Sequence, residues 1–444
     1  MFRSIYLSKT DPTPLYIQLA SEIATLIQDD VLKSGAKLPS IRVLSKELMI
    51  NRDTVVSAYK LLVNQGLIDG YIGKGTYVSS ASNTDSPYEK TFESVPIYCS
   101  HTNFPKELLP EALCMPIAQA IIHDEGWNAF YDPLHRERNF LKQSICSFFN
   151  DLGLQASSSS VRVVKHFEDF LAALFRYSPK SGICVEAYRD LSLSSYLHTL
   201  GAKIYEIPLT QEGMDLEILE KHLSSGHIAY IFLSSYLQNP TGICYCDTHK
   251  QKIIELAQKY DCYIIEDGTL NEFAYYASRY CPLYHTFSQD RVIYVYHFSK
   301  IYFPYIPYSF ILLPSAMTNY LIDALECTFN ERLLRYYLDS SFFKENKKNM
   351  LQSSKQKYDL FLSGLKSLEN KIECSTQNGG VFLWLKPLGL SCDELCDTLI
   401  KNNIIVSPGS LFTHSSQSHY FRLSLSHLTL EETSHTLDLL HQIL

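Results

Sequence analysis

Lys300, in the run His297-Phe298-Ser299-Lys300, stands about thirty residues after Glu266-Asp267 and about sixty after Asn239-Pro240-Thr241-Gly242. An amine, a carboxylate and a carboxamide at these intervals are the groups that could hold a pyridoxal ring and bond its aldehyde. The amine attacks the aldehyde, for which it must be kept near neutrality, and low local dielectric does that. The carboxylate keeps a ring nitrogen protonated, so that the ring can draw electrons. Arg422 offers a guanidinium, whose planar fork matches a ligand carboxylate. Each residue alone also fits a structural role: Asn239 shaping a turn before Pro240, Asp267 capping a helix, Lys300 lying on the surface.

These side chains need elements to converge them. Gly182–Glu186, Ile228–Leu233, Tyr263–Asp267, Val292–Tyr296 and Phe310–Leu313 are short apolar runs separated by amphipathic helical segments. Such alternation predicts a mixed, mainly parallel sheet with helices on both faces. Ligands of such α/β folds collect at the carboxyl ends of strands, where Asp267, His297 and Lys300 all fall. Gly379–Trp384, Ile404–Gly409 and Phe421–Ser424 point to a smaller C-terminal α+β subdomain.

The first eighty residues have a different build. Apolar residues from Leu15 to Ile27 recur mostly at helical spacing. Gly35-Ala36-Lys37-Leu38-Pro39-Ser40 breaks the chain, and Ser40 can cap a helix over Ile41–Leu48. Asn51 can cap another over Arg52–Gln65, with Val55, Tyr59, Leu62 and Val63 inward. Gly66-Leu67-Ile68 and Tyr71–Val78 then read as a hairpin turning at Gly73-Lys74-Gly75-Thr76. This is winged helix-turn-helix layout. Arg42 and Arg52 sit at helix starts, where a guanidinium can donate two bonds to guanine. Ser40, Thr54 and the N–H groups of the helix starts suit phosphate oxygens. Gly73 and Gly75 let the wing approach a duplex closely, with Lys74 at its tip.

Bulk properties agree with two unlike modules. The chain has 444 residues and a net charge of −8. Residues 1–80 carry nine Lys/Arg against seven Asp/Glu, while the remainder carries thirty against forty. A basic head on an acidic body suits a nucleic-acid-facing module joined to one that is not. Ser79–Tyr98 is polar, Ser-rich and aperiodic, which predicts a tether. The expected domains are therefore 1–78, a linker over 79–104, and a body over 105–444. Twelve cysteines lack CxxC spacing or a zinc-type partner set, so free thiols and no metal are expected. No run approaches the ~20 apolar residues of a membrane span, and no signal pattern opens the chain, so a cytoplasmic protein is expected.

Pro14-Leu15-Tyr16, Leu38-Pro39-Ser40-Ile41-Arg42, Asn51-Arg52-Asp53-Thr54-Val55, Gly66-Leu67-Ile68 and Gly73-Lys74-Gly75-Thr76 together resemble the GntR-type winged helix. The body resembles the fold-type I aminotransferases, with Val406-Ser407-Pro408-Gly409 and Gly379-Gly380 as further landmarks. The whole chain resembles the MocR (GabR-like) regulators, which join these two parts. The resemblance implies pyridoxal phosphate as cofactor, with His297 beside it. It makes Asn239 the partner of the ring's 3′ oxygen, Asp267 the partner of the pyridine nitrogen, Lys300 the covalent lysine and Arg422 the carboxylate clamp. It further implies a double-stranded DNA operator, a small-molecule effector and a head-to-tail homodimer.

The sequence also departs from the family pattern. Pro307 and Ser309 replace an Arg and a Gly after the lysine, and Thr269 replaces a Tyr. Lys165-His166-Phe167-Glu168 replaces the glycine-containing phosphate turn. Ala187-Tyr188-Arg189-Asp190 lacks the usual Pro and Tyr. The glycine expected after Tyr131-Asp132-Pro133 is missing from Leu134-His135-Arg136. Losing a charge-assisted contact costs roughly 1.5–3 kcal/mol, about 10- to 150-fold in affinity. His297 and Arg189 are the candidates to compensate. The expected function is a transcription regulator that senses pyridoxal phosphate, with or without an amino compound. The alternatives are a regulator whose body has lost the cofactor and a working aminotransferase.

Overall fold

The computed structural model describes the chain apart from residues 1–14, 29–30, 34, 49, 65–66, 72–74, 79–95, 105–110, 131–135, 277–281, 287–289, 304–306, 320–326, 376–377 and 415–417. Two compact units emerge, Met1–Glu93 and Ser94–Leu444.

In the first unit, helices α1 (Leu15–Gln28), α2 (Ile41–Glu47) and α3 (Arg52–Asn64) precede an antiparallel hairpin of β1 (Ile68–Tyr71) and β2 (Gly75–Val78). Helical periodicity turns Leu19, Ile23, Leu44, Val55 and Leu62 inward, where they meet Leu38, Ile68 and Val78 in one core. Ser40 caps α2 as expected, its Oγ accepting from Val43 N at 3.4 Å. Tyr59 Oη donates to Pro39 O at 2.7 Å and so fastens α3 to the turn before α2.

In the second unit the strands are β3 (Ile97–Tyr98), β4 (Val161–Val164), β5 (Gly182–Glu186), β6 (Lys203–Ile207), β7 (Leu209–Thr210), β8 (Gly213–Met214), β9 (Ile228–Leu233), β10 (Tyr263–Asp267), β11 (Val292–Tyr296), β12 (Ser309–Leu312), β13 (Ile372–Cys374), β14 (Phe382–Pro387), β15 (Ile404–Ile405), β16 (Ser407–Pro408) and β17 (Phe421–Ser424). Seven of them form one sheet in the order β4-β12-β11-β10-β9-β5-β6. Only β12 runs against its neighbours β4 and β11. Successive residues of β11 enter opposite cores: Val292, Tyr294 and Tyr296 one, Ile293 and Val295 the other. Both faces are thus covered, as the unbroken apolar runs require. A four-stranded antiparallel sheet, β13-β14-β17-β16, builds the smaller subdomain.

The segment 96–104, expected in the tether, differs from expectation. β3 pairs in parallel with β15, and Cys99 and Phe104 are fully buried in the body's cores. Its apolar residues were too few to show a period, and their partners lie three hundred residues away.

Candidate functional site

β10 ends at Asp267 and β11 at Tyr296, neighbours in register through Asp267 and Val295. His297 caps the short helix Phe298–Ile301, on which Lys300 stands. The loop after β9 carries Asn239, followed by a cis peptide to Pro240. Parallel strands thus deliver their carboxyl ends to one place. Asn239, Asp267, His297 and Lys300 all line a single cavity of about 350 Å³.

Thr269 ties the acid to the next strand. Its Oγ1 donates to Asp267 Oδ1 at 2.5 Å and accepts from His297 N at 2.9 Å, while Thr269 N also donates to Asp267 Oδ1, at 3.0 Å. Asp267 Oδ2 lies 3.9 Å from His297 Nε2. His297 Nδ1 and Ser309 Oγ are 2.8 Å apart, and Phe167 meets the imidazole edge-on, with ring centroids 4.9 Å apart. Burial, and then the nearby Lys300 ammonium, push the His297 imidazole down to about 4, so it is neutral at physiological pH. A neutral imidazole is no substitute cation for a missing arginine. Arg189 cannot fill that role either. Its Nη2 reaches Glu206 Oε1 at 2.8 Å, its Nε reaches Ser194 Oγ at 3.1 Å, and its Nη1 reaches Glu186 O at 2.9 Å.

Two placements bear on the roles expected of Lys300 and Arg422. Lys300 is solvent-exposed on the cavity wall, not in the buried, low-dielectric surroundings expected of its amine. Arg422 is buried and not on that wall. Its Nη1 donates to Asn239 Oδ1 and its Nη2 to Ser100 O, each at 2.9 Å, while Phe412 stacks on the guanidinium. Burial pushes it down to about 10, opposed by Asp190, and its Nε has no partner. As it stands, the clamp holds protein groups.

Glu186 and Asp190 also line the cavity and carry roles the sequence reading missed. Glu186 is almost fully buried and accepts from Tyr245 Oη, Ser234 N and Gln238 Nε2. Burial pushes its carboxyl up to about 7 despite these bonds. An acid closing a buried strand was the signal that could have found it.

The ring end of the cavity fits a pyridoxal compound: an amine, a carboxylate and a carboxamide face one space. The phosphate end fits less well. Pro307 there has no N–H to give. The helix Phe167–Tyr177 begins with Glu168 and Asp169 in its first turn, which offset the positive end of its dipole.

In the head, Arg42 and Arg52 are exposed in the first turns of α2 and α3, Ser40 is exposed and Thr54 half-buried. Gly75 opens β2, whereas Gly73 and Lys74 lie outside the described residues. Eleven free cysteines are described; Cys392 and Cys396 lie 4.0 Å apart. Among the described residues no helix is long and apolar enough to cross a membrane.

Comparison with known proteins agrees with this two-part build. Residues 109–440 match the family "Aminotransferase class I and II", and residues 15–78 match "Bacterial regulatory proteins, gntR family". The uncharacterized HTH-type transcriptional regulator YdfD of Bacillus subtilis is 24% identical, over 96% of this chain and 95% of its own. The HTH-type pyridoxine biosynthesis transcriptional regulator PdxR of Corynebacterium glutamicum is also 24% identical, over 71% of this chain and 70% of its own. Among solved structures, an archaeal alanine:glyoxylate aminotransferase superposes with a TM-score of 0.67 at 22% identity, over 79% of this chain and 92% of its own. With a gntR-type DNA-binding head on a body of this fold, the chain belongs to the class I and II aminotransferase family and, within it, to the MocR (GabR-like) regulators.

Proposed function

We propose that this protein is a cytoplasmic transcription regulator whose body senses a vitamin B6 aldehyde, pyridoxal phosphate or a close relative, with an amino compound as a further effector. One observation carries the reading: Asn239, Asp267 and Lys300 face one cavity in a chain that begins with a DNA-binding head. Asp267 would pair with the pyridine nitrogen and Asn239 with the ring's phenolic oxygen. Lys300 Nζ would join the aldehyde carbon with release of one water. When bound, the ring supplies an aldehyde and an electron-withdrawing pyridinium. Thr269 holds Asp267 in place for that contact. The printed name of PdxR supports a link to vitamin B6.

Regulation rather than turnover is the better fit. A transaminase must present a cation to its substrate's carboxylate, and here Arg422 is held by Asn239 and Ser100. Ligand binding would bias paired heads in a head-to-tail dimer, and hence operator affinity, by its differential affinity for two arrangements. The test is an absorbance spectrum of the purified protein with added pyridoxal phosphate or pyridoxal. A new band near the visible edge is expected in the wild type and not in Lys300→Ala. Identical spectra for the two proteins would refute the sensing role.

A further inference from the structure

We infer that the cavity is built for the unphosphorylated vitamer, so that pyridoxal rather than pyridoxal phosphate is its ligand. This deepens the reading of the cavity as a pyridoxal site and rests on it. A phosphate carries close to two negative charges and needs charge-assisted donors when it leaves water. The described cations on the wall are Lys165, Arg189 and Lys300. Arg189 is committed to Glu206, Ser194 and the Glu186 carbonyl, and Lys300 is reserved for the aldehyde. Lys165 shares the wall with the acids Glu168 and Asp190.

Of the other groups on that wall, Pro307, Ser309 and Ser299 carry no charge, and His166 is exposed beside Lys165. Pro307 offers no donor, Ser309 is engaged with a neutral His297, and Ser299 Oγ accepts from Tyr308 N at 2.7 Å. Serine hydroxyls and an imidazole suit a hydroxymethyl group, which brings no charge and needs only ordinary hydrogen bonds. Volume does not discriminate, since about 350 Å³ lies within the usual range for small-molecule pockets. Charge does. One absent charge-assisted contact corresponds to about 10- to 150-fold in affinity.

The experiment is calorimetric titration of the full-length protein with four compounds: pyridoxal, pyridoxal phosphate, pyridoxine and pyridoxine phosphate. The two alcohols cannot bond covalently to Lys300, so their difference isolates the phosphate. Each unphosphorylated compound is expected to bind about tenfold or more tightly than its phosphorylated partner. Pro307→Arg, at an exposed position, should narrow that ratio by about tenfold, chiefly by tightening the phosphorylated compounds. Glu168→Gln should move it the same way by a smaller factor. Equal or tighter binding of the phosphorylated compounds by the wild type overturns the vitamer assignment and leaves the pyridoxal site standing. If none of the four binds, the site reading falls and this inference with it.

Discussion

His297 and Glu186 are buried titratable groups that pull stability in opposite directions with pH. The imidazole's folded value of about 4 lies below its unfolded 6.5, so the unfolded chain binds the extra proton between them. Its contribution therefore falls as pH drops from 6.5 to 4. The Glu186 carboxyl, at about 7 folded against 4.5 unfolded, holds its proton in the folded chain. Its contribution falls as pH rises from 4.5 to 7. Across their overlap the two slopes nearly cancel. Melting curves from pH 4 to 7 should show Glu186→Gln losing stability on acidification and His297→Asn losing it on alkalinisation; parallel curves for the two variants would contradict this. In the head, Arg52→Ala should weaken a specific operator by about 1–3 kcal/mol and relax base preference, whereas equal loss on random DNA would assign Arg52 to phosphate alone. At this scale the sequence displayed Asn239, Asp267 and Lys300 because their intervals follow strand ends. It could not display how Arg189 and Arg422 are used, since their partners Glu206, Ser194, Asn239 and Ser100 are set by tertiary packing.

Strand legibility followed position in the sheet. The central strands β5, β9, β10 and β11 are covered on both faces and read as unbroken apolar runs, and β12 read nearly as well. The edges β4 and β6 did not, because Val-Arg-Val-Val and Lys-Ile-Tyr-Glu-Ile carry the charges that edges tolerate. Arg162 of β4 hydrogen-bonds the carbonyls of Ser159, Val161 and Thr318. A buried ion pair joins other elements. Arg138 Nη1 donates to Glu331 Oε1 at 2.5 Å and Nη2 to Val163 O at 3.1 Å, while Glu331 completes the capping box with Thr328. Arg138→Ala should destabilise the body by about 3–5 kcal/mol through the stranded carboxylate, measured by chemical denaturation. A loss below about 1 kcal/mol would mean that water reaches Glu331. Tyr59→Phe should cost the head about 1 kcal/mol, with the body's transition unmoved.

At the scale of the whole molecule, two modules with separate cores were legible from the change in charge and periodicity, but the point where the body begins was not. Operator affinity should fall steeply with salt, because phosphate contacts by the head release counterions. Paired heads should also require paired half-sites: deleting one is expected to weaken binding by about a hundredfold or more, read by gel shift. Little change would favour a head acting alone. The stretch Ile97–Phe104 carries the chain into the body, and Arg422 grips it at the Ser100 carbonyl while its other arm holds Asn239. A shift of Asn239 would therefore pass, through two hydrogen bonds and one rigid plane of atoms, to the strip of chain by which the body is entered.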